Sequence, residues 1–288
     1  MTRTLAALAC ALLVVTAGCA GLGGQADQTT AAPAQTTADA ATTTAPSTTT
    51  ESAEQLAPGV TTAGVEDARA LADAHRDALG DGFREESTTT RTNESTTGTW
   101  NRTFAVENES LWRLTTTGEN TPVALDVTNG SIDQYADGEH VLWQRVNDTA
   151  ANTSYGVRSV SIQDGDDQPV PPDQVFESNN YRSPYERSLV YSLASNVDSV
   201  EALGGGEGVV ELSGTAGDPP AAFTQSSEVD FTMTVTEDGL ARTIDLAYES
   251  GDGTVERTVT LDADVTDPVG EPDWYGTALN ETGLNGTD

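Results

Sequence analysis

The sequence has no lysine: all 13 basic residues are arginine, set against 46 aspartates and glutamates, for a net charge of −33 over 288 residues. A chain so poor in cations and so rich in anions repels phosphate backbones and anionic headgroups, which argues against nucleic acid or acidic lipid as a partner. Histidine is nearly absent as well, with only His75 and His140, far apart in sequence. Cysteine is limited to Cys10 and Cys19, both near the amino terminus, so no disulfide framework is available. No HExxH, GxSxG, P-loop or dinucleotide glycine motif occurs. An Asp/Glu pair could do acid–base chemistry in principle, but 46 carboxylates give no pair priority. The sequence therefore names no catalytic residue, no metal ligand and no cofactor, and the expectation is a non-enzyme.

What is present begins with Arg3 and the apolar run Leu5 to Val15, followed by Thr16-Ala17-Gly18-Cys19. The run has the length of a signal-peptide core and is short of the roughly 20 residues an ordinary spanning helix needs. The TAGC ending resembles a lipobox, although Thr16 stands where leucine or valine is usual. That resemblance implies removal of residues 1–18 and a lipid anchor on Cys19, which puts the mature chain on the extracellular face of the cytoplasmic membrane. An ordinary secretory signal cut near Ala17 or Ala20 is the alternative. The lysine-free, acid-rich composition resembles that of proteins from extreme halophiles, where salt screens such a surface to within about 3 Å at 1 M.

Residues 19–64 read as a tether, with glycines first and then Thr, Ala and Pro, too polar and too simple to build a core. From residue 65 the pattern changes. Val65, Ala68, Leu71, Ala72, His75, Ala78 and Leu79 recur at helical spacing until Gly80, which predicts an amphipathic helix over 65–79 with His75 packed on its apolar side. After Gly82 the period becomes two. Strands are predicted over 83–92, 99–107, 109–117, 123–127, 131–135 and 140–146, with Asn129-Gly130 and Asp137-Gly138 as turn signals. Residues 147–180 read as a long exposed loop, on their proline cluster and on an acidic stretch that lacks the spacing of a calcium loop. Ser183-Pro184-Tyr185-Glu186 reads as a helix start, with Leu189, Leu193, Val197 and Val200 on its apolar face. Strands return over 208–214, 228–236, 240–248 and 255–261, and Trp274-Tyr275 is placed to dock before the chain frays.

The summed pattern predicts one α+β domain over 65–275 with a flexible tail over 276–288. Its centre would be a large curved antiparallel sheet, a half-open barrel, with two or more helices packed against the concave face. A pair of smaller sheets is the alternative.

These features together resemble haloarchaeal surface lipoproteins whose domain is similar to the periplasmic lipoprotein-carrier fold, which mycobacterial lipid-binding lipoproteins share. The likeness rests on the TAGC ending, the Thr-rich tether, the single helix, the strand from Phe83, the segment Ile132 to Val146 and the Gly239-Leu240 turn into Tyr248. It implies a sheet wrapped around helices that can leave an apolar cavity for acyl chains. No single residue is distinctive enough to be carried over as a ligand contact.

Alternating strand positions supply the large groups that such a cavity would need: Trp100, Phe104, Trp112, Leu114, Leu125, Trp143, Phe231, Met233, Ile244 and Leu246. The same residues would equally fill a core, since any one-sided sheet alternates in this way. Asn93, Asn101, Asn108, Asn129, Asn147, Asn152, Asn280 and Asn285 each open an Asn-x-Ser/Thr glycosylation triplet. Two functions follow. One is a surface lipoprotein that binds or presents an apolar, lipid-like molecule without turnover. The other is a structural or protein-interaction domain of an envelope or transporter complex, its protein partner unknown.

Overall fold

Asp67 starts the fold's first long helix. Its carboxylate accepts from the backbone N–H groups of Arg69 and Ala70 at 3.0 and 2.9 Å, satisfying two of the donors that a helix start leaves open. In the computed structural model, which describes residues 53–120, 128–161, 167–178, 187–203, 208–217, 228–251, 253–263, 265 and 269–284, this helix is α1 (Ala68–Leu79). Ahead of it β1 (Gln55–Ala57), β2 (Val60–Thr61) and β3 (Gly64–Val65) make a small antiparallel sheet from residues that, Val65 apart, the sequence assigns to the tether. Gly59 must be glycine in the β1–β2 turn, because its φ is +74° and a Cβ would meet the Asp67 carbonyl oxygen at 2.1 Å.

After Gly80 ends α1, six strands pair in succession: β4 (Phe83–Asn93), β5 (Thr97–Asn108), β6 (Leu111–Glu119), β7 (Gly130–Asp137), β8 (Val141–Asn147) and β9 (Asn152–Val157). The ribbon β10 (Ser159–Ser161) and β11 (Asp167–Pro169) follows, then α2 (Pro172–Ser178) and α3 (Leu189–Ala194). Five more strands complete the order: β12 (Val197–Leu203), β13 (Val209–Ala216), β14 (Val229–Val235), β15 (Ala241–Ser250) and β16 (Gly253–Asp262). The helix α4 (Tyr275–Thr282) closes the described chain and, beyond Tyr275, occupies residues that the sequence assigns to a tail. Because β16 pairs antiparallel with β4, the two sets fuse into one eleven-stranded sheet, ordered β12-β13-β14-β15-β16-β4-β5-β6-β7-β8-β9.

The expected half-open barrel is not formed. The large antiparallel sheet and its helices are present, but the sheet is neither closed nor strongly curled: its ladder ends at β12 on one side and β9 on the other, and these two do not pair. Closure requires the terminal strands to exchange hydrogen bonds at a fixed shear. Here other elements lie against the two ends instead, α4 beside β8 and β9 and β3 beside β12, which is how an open sheet blunts its edges.

Residues 147–180 also depart from their reading as a loop. They contain β9, the β10–β11 ribbon and α2, whose Val175 and Phe176 are buried. Val197 and Val200 belong to β12 and not to a helix face, since α3 stops at Ala194. The strand at 123–127 and the Ser183-Pro184 helix start lie outside the described residues. Other turn signals hold: Asp137-Gly138 joins β7 to β8 and Asp238-Gly239 joins β14 to β15, the glycines taking φ of +100° and +97°.

Alternation gives the sheet two faces. One carries Phe83, Phe104, Trp112, Leu114, Leu212, Phe231, Met233, Ile244, Val259 and Leu261, packed with Leu71 and Leu79 of α1, Phe176 of α2 and Leu193 of α3. This is the main core. The second face is polar except at β7 and β8, where Tyr135 and Leu142 pack against Trp274 and Ala278.

Candidate functional site

The residues predicted to line a cavity are gathered onto the helix-covered face. Phe104, Trp112, Met233 and Ile244 have no exposure, and Leu114, Phe231 and Leu246 are buried. Their rings interlock: Phe104 meets Phe83 at 6.0 Å and Trp112 at 6.1 Å, both edge to face, and Phe176 lies tilted at 6.0 Å from Phe104 and 6.3 Å from Trp112. Phe176 was not singled out from sequence, because its segment read as a loop. Trp100 and Trp143 are half-buried, the Trp143 indole lying so close to Gly156 that a Cβ there would meet it at 2.2 Å. Leu125 and Cys19 lie outside the described residues.

Along the same face the apolar core gives way to charge. Glu85 is fully buried, flanked by the Arg102 guanidinium at 3.6 Å and that of Arg257 at 3.9 Å, with Ser87 and Thr89 buried beyond it. Neither Glu85 oxygen makes a hydrogen bond. Burial drives the Arg257 guanidinium below its ordinary pKa, Glu85 opposes that shift and Arg102 adds to it. A buried acid between two arginines is costly to desolvate, and it links β4 to β5 through Arg102 and to β16 through Arg257.

His75 lies on the inner face of α1, fully buried, where its Nδ1 accepts the backbone N–H of Ala241 at 3.0 Å. Burial pushes its pKa down to about 4, so it is neutral at ordinary pH and pins α1 to the start of β15. The packed histidine expected from the sequence is what the structure places there. His140 sits on the β7–β8 turn, 3.9 Å from Asp137 and far from His75 in the chain. Among the described residues no group of three or more His, Cys, Asp or Glu side chains is arranged to hold a metal ion. No described helix is long and apolar enough to cross a membrane.

The second face presents a broad polar surface. A cleft of about 580 Å³ runs across β13 to β16, where Asp230, Asp245 and Glu256 alternate with Thr215, Thr232 and Thr258. Hydroxyls already serve two of these carboxylates, Thr215 to Asp230 at 2.7 Å and Thr258 to Asp245 at 2.6 Å. A depression of about 480 Å³ lies further along, between Thr99, Asn101, Thr117, Ser131 and Asp148. Such a face can meet water, salt or a polar partner over many strands.

At its far side this face is closed by a carboxylate cluster that the sequence did not reveal. Asp133 takes a two-pronged contact from Arg113, with Nε at 3.1 Å and Nη2 at 2.7 Å, together with the Thr115 hydroxyl at 3.0 Å and the Trp274 indole N–H at 2.8 Å. The Asp133 contact holds Arg113 above its usual pKa. Tyr275 adds a hydrogen bond to Asp137 at 2.7 Å, and burial plus that bond raise the phenol well above its ordinary pKa. The expected docking of Trp274-Tyr275 thus has a defined receptor.

No protein-family model and no curated protein sequence matches the chain. Among solved structures it is similar to a DUF1329 family protein from Desulfovibrio piger, at 10% identity over 72% of this chain and 95% of that one, with a TM-score of 0.27. It is similar as well to the lipoprotein LppX of Mycobacterium tuberculosis, at 16% identity over 69% and 97% of the two chains and a TM-score of 0.27. A LolA superfamily protein from Nitrosomonas europaea is similar at 9% identity over 72% and 98%, with a TM-score of 0.26.

Proposed function

We propose that this chain is a lipid-anchored, non-catalytic envelope protein whose sheet is a structural or protein-interaction domain held outside the membrane on a tether. The observation that carries this reading is the interlocked ring cluster of Phe83, Phe104, Trp112 and Phe176. Those side chains pack on one another and among α1 to α3, as close-packed interiors require, which supports the domain reading over the lipid-holding one. Surface chemistry supports the same reading: a wide, acidic, hydroxyl-rich face is left for a polar partner. The anchor is assigned to Cys19 on the apolar run and small residues before it. One lipid chain gives marginal anchoring, whereas a two-chain group on one cysteine gives stable attachment.

The test is native mass spectrometry of the chain extracted from its own membranes with mild detergent in concentrated salt. The expected species begins at Cys19 with an acyl-bearing group and carries no further apolar ligand. A stoichiometric second lipid that survives extraction would favour the carrier function. An unacylated chain recovered from the medium would overturn the placement.

A further inference from the structure

The antiparallel order of β4 to β9 brings four glycosylation triplets to one rim of the sheet. Asn93 closes β4, Asn129 precedes β7, and Asn147 and Asn152 face each other across the β8–β9 hairpin. The β14–β15 turn and the start of β4 lie at the opposite rim. There Pro58 and Ala74 lie against Gly239 in the β14–β15 turn, and α1 leads into β4. From Phe83 to Asn93, β4 spans ten residue steps, roughly 33 Å at 3.3 Å each. Asn101, half-way along β5, is exposed on the polar face beside the depression described above.

The local geometry suits the modification. In Asn93-Glu94-Ser95 the side-chain carbonyl accepts both the backbone N–H of Ser95 at 3.0 Å and its hydroxyl at 3.2 Å. Asn147 makes the corresponding turn with Ala150 N–H at 2.9 Å, and Asn152 is exposed. Asn129 is held by Asn120 N–H at 2.8 Å and by a long 3.4 Å contact from Nδ2 to the Thr149 hydroxyl. In contrast, Asn280 lies inside α4 with its Nδ2 bonded to the Gly276 carbonyl at 2.9 Å. Asn285 lies outside the described residues.

We propose that the rim formed by Asn93, Asn129, Asn147 and Asn152, opposite the β14–β15 turn, carries N-linked glycan. This inference rests on the placement outside the membrane given above. The donor is an oligosaccharide activated as a lipid-linked phosphate or diphosphate. Nδ2 forms a bond to the anomeric carbon, the bond from that carbon to the phosphate oxygen breaks, and the phosphate leaves with the electron pair while Nδ2 gives up one proton. Four glycans along one rim would cover the hairpin tips.

The test is glycopeptide mass spectrometry on the chain isolated from its own membranes, with the amino-terminal peptide read in the same run. Saccharide adducts are expected on Asn93, Asn129, Asn147 and Asn152. Their mass should vanish site by site both in Asn→Gln variants and in the milder Ser95→Ala, Ser131→Ala, Thr149→Val and Ser154→Ala variants, which remove the triplet hydroxyl, Thr149→Val removing in addition its contact to Asn129. An acylated Cys19 peptide with bare rim asparagines would overturn this inference alone. Sugar confined to Asn108 or Asn280 would overturn it too. Loss of both acyl group and sugar would overturn the placement as well.

Discussion

The Trp274 indole nitrogen donates to Asp133 Oδ2 at 2.8 Å, joining residues 141 positions apart and fastening α4 to the polar face of the sheet. Trp274→Phe keeps a ring in the site and removes only the donor, for an expected loss of about 1–2 kcal/mol. Asp133→Asn also deprives Arg113 of its counter-charge and should cost more, roughly 3 kcal/mol. Denaturant melts at fixed salt give both values, and amide exchange over Tyr275–Thr282 should accelerate before global unfolding. Unchanged exchange in α4 would show that the clamp does not hold it.

Phe104→Ala removes the ring shared by Phe83, Trp112 and Phe176. In a close-packed interior the expected loss is about 3–5 kcal/mol. In a ligand-holding hollow the neighbours would already tolerate empty volume, and the loss would be small. Equilibrium unfolding of the variant against the parent distinguishes the two.

His75 gives the domain a defined acid limit. Its ordinary pKa is 6.5 and burial lowers the folded value to about 4. Above 6.5 the group is neutral in both states and stability is unaffected. As pH falls from 6.5 towards 4 the unfolded chain takes the proton and the folded one does not, so stability declines, by about 3 kcal/mol in all. Below 4 the folded state protonates as well and this contribution has been lost in full. Denaturant midpoints at pH 7, 5 and 4, compared with those of His75→Gln, isolate the histidine from the many carboxylates. The parent should lose more over that interval than the variant does.

Glu85 offers a separate test of buried charge. Glu85→Gln keeps the shape and removes the charge that faces Arg102 and Arg257. The expected destabilisation is roughly 3 kcal/mol, because two arginines would then share a buried site without an acid. Thermal melts measure it. No change in stability would mean that the carboxylate does not balance them.

The parts of this fold that were legible in the sequence are those fixed by local chemistry. Asp137-Gly138 and Asp238-Gly239 marked hairpins because type I′ and related turns need positive φ. Likewise Leu71, Ala72, His75 and Leu79 marked α1 because one helix face meets a core. Sheet closure was not legible, since no local pattern records whether β12 and β9 pair. Phe176 was hidden by the prolines and acids around it. Asp133 was hidden for another reason: β7 is covered on both faces, so a strand reading that assumes one wet side places that carboxylate in water. Val197 and Val200 fitted a helical spacing by coincidence, and pairing with Gly214 and Leu212 of β13 decided the matter.

Titration of the purified chain with a fluorescent fatty acid in concentrated salt tests the packed-interior account most directly. The account predicts a weak, non-saturating response, the same for the parent and for a Phe104→Leu variant. Saturable one-to-one binding that Phe104→Leu weakens would contradict it and return the helix-covered face to the role of a lipid site.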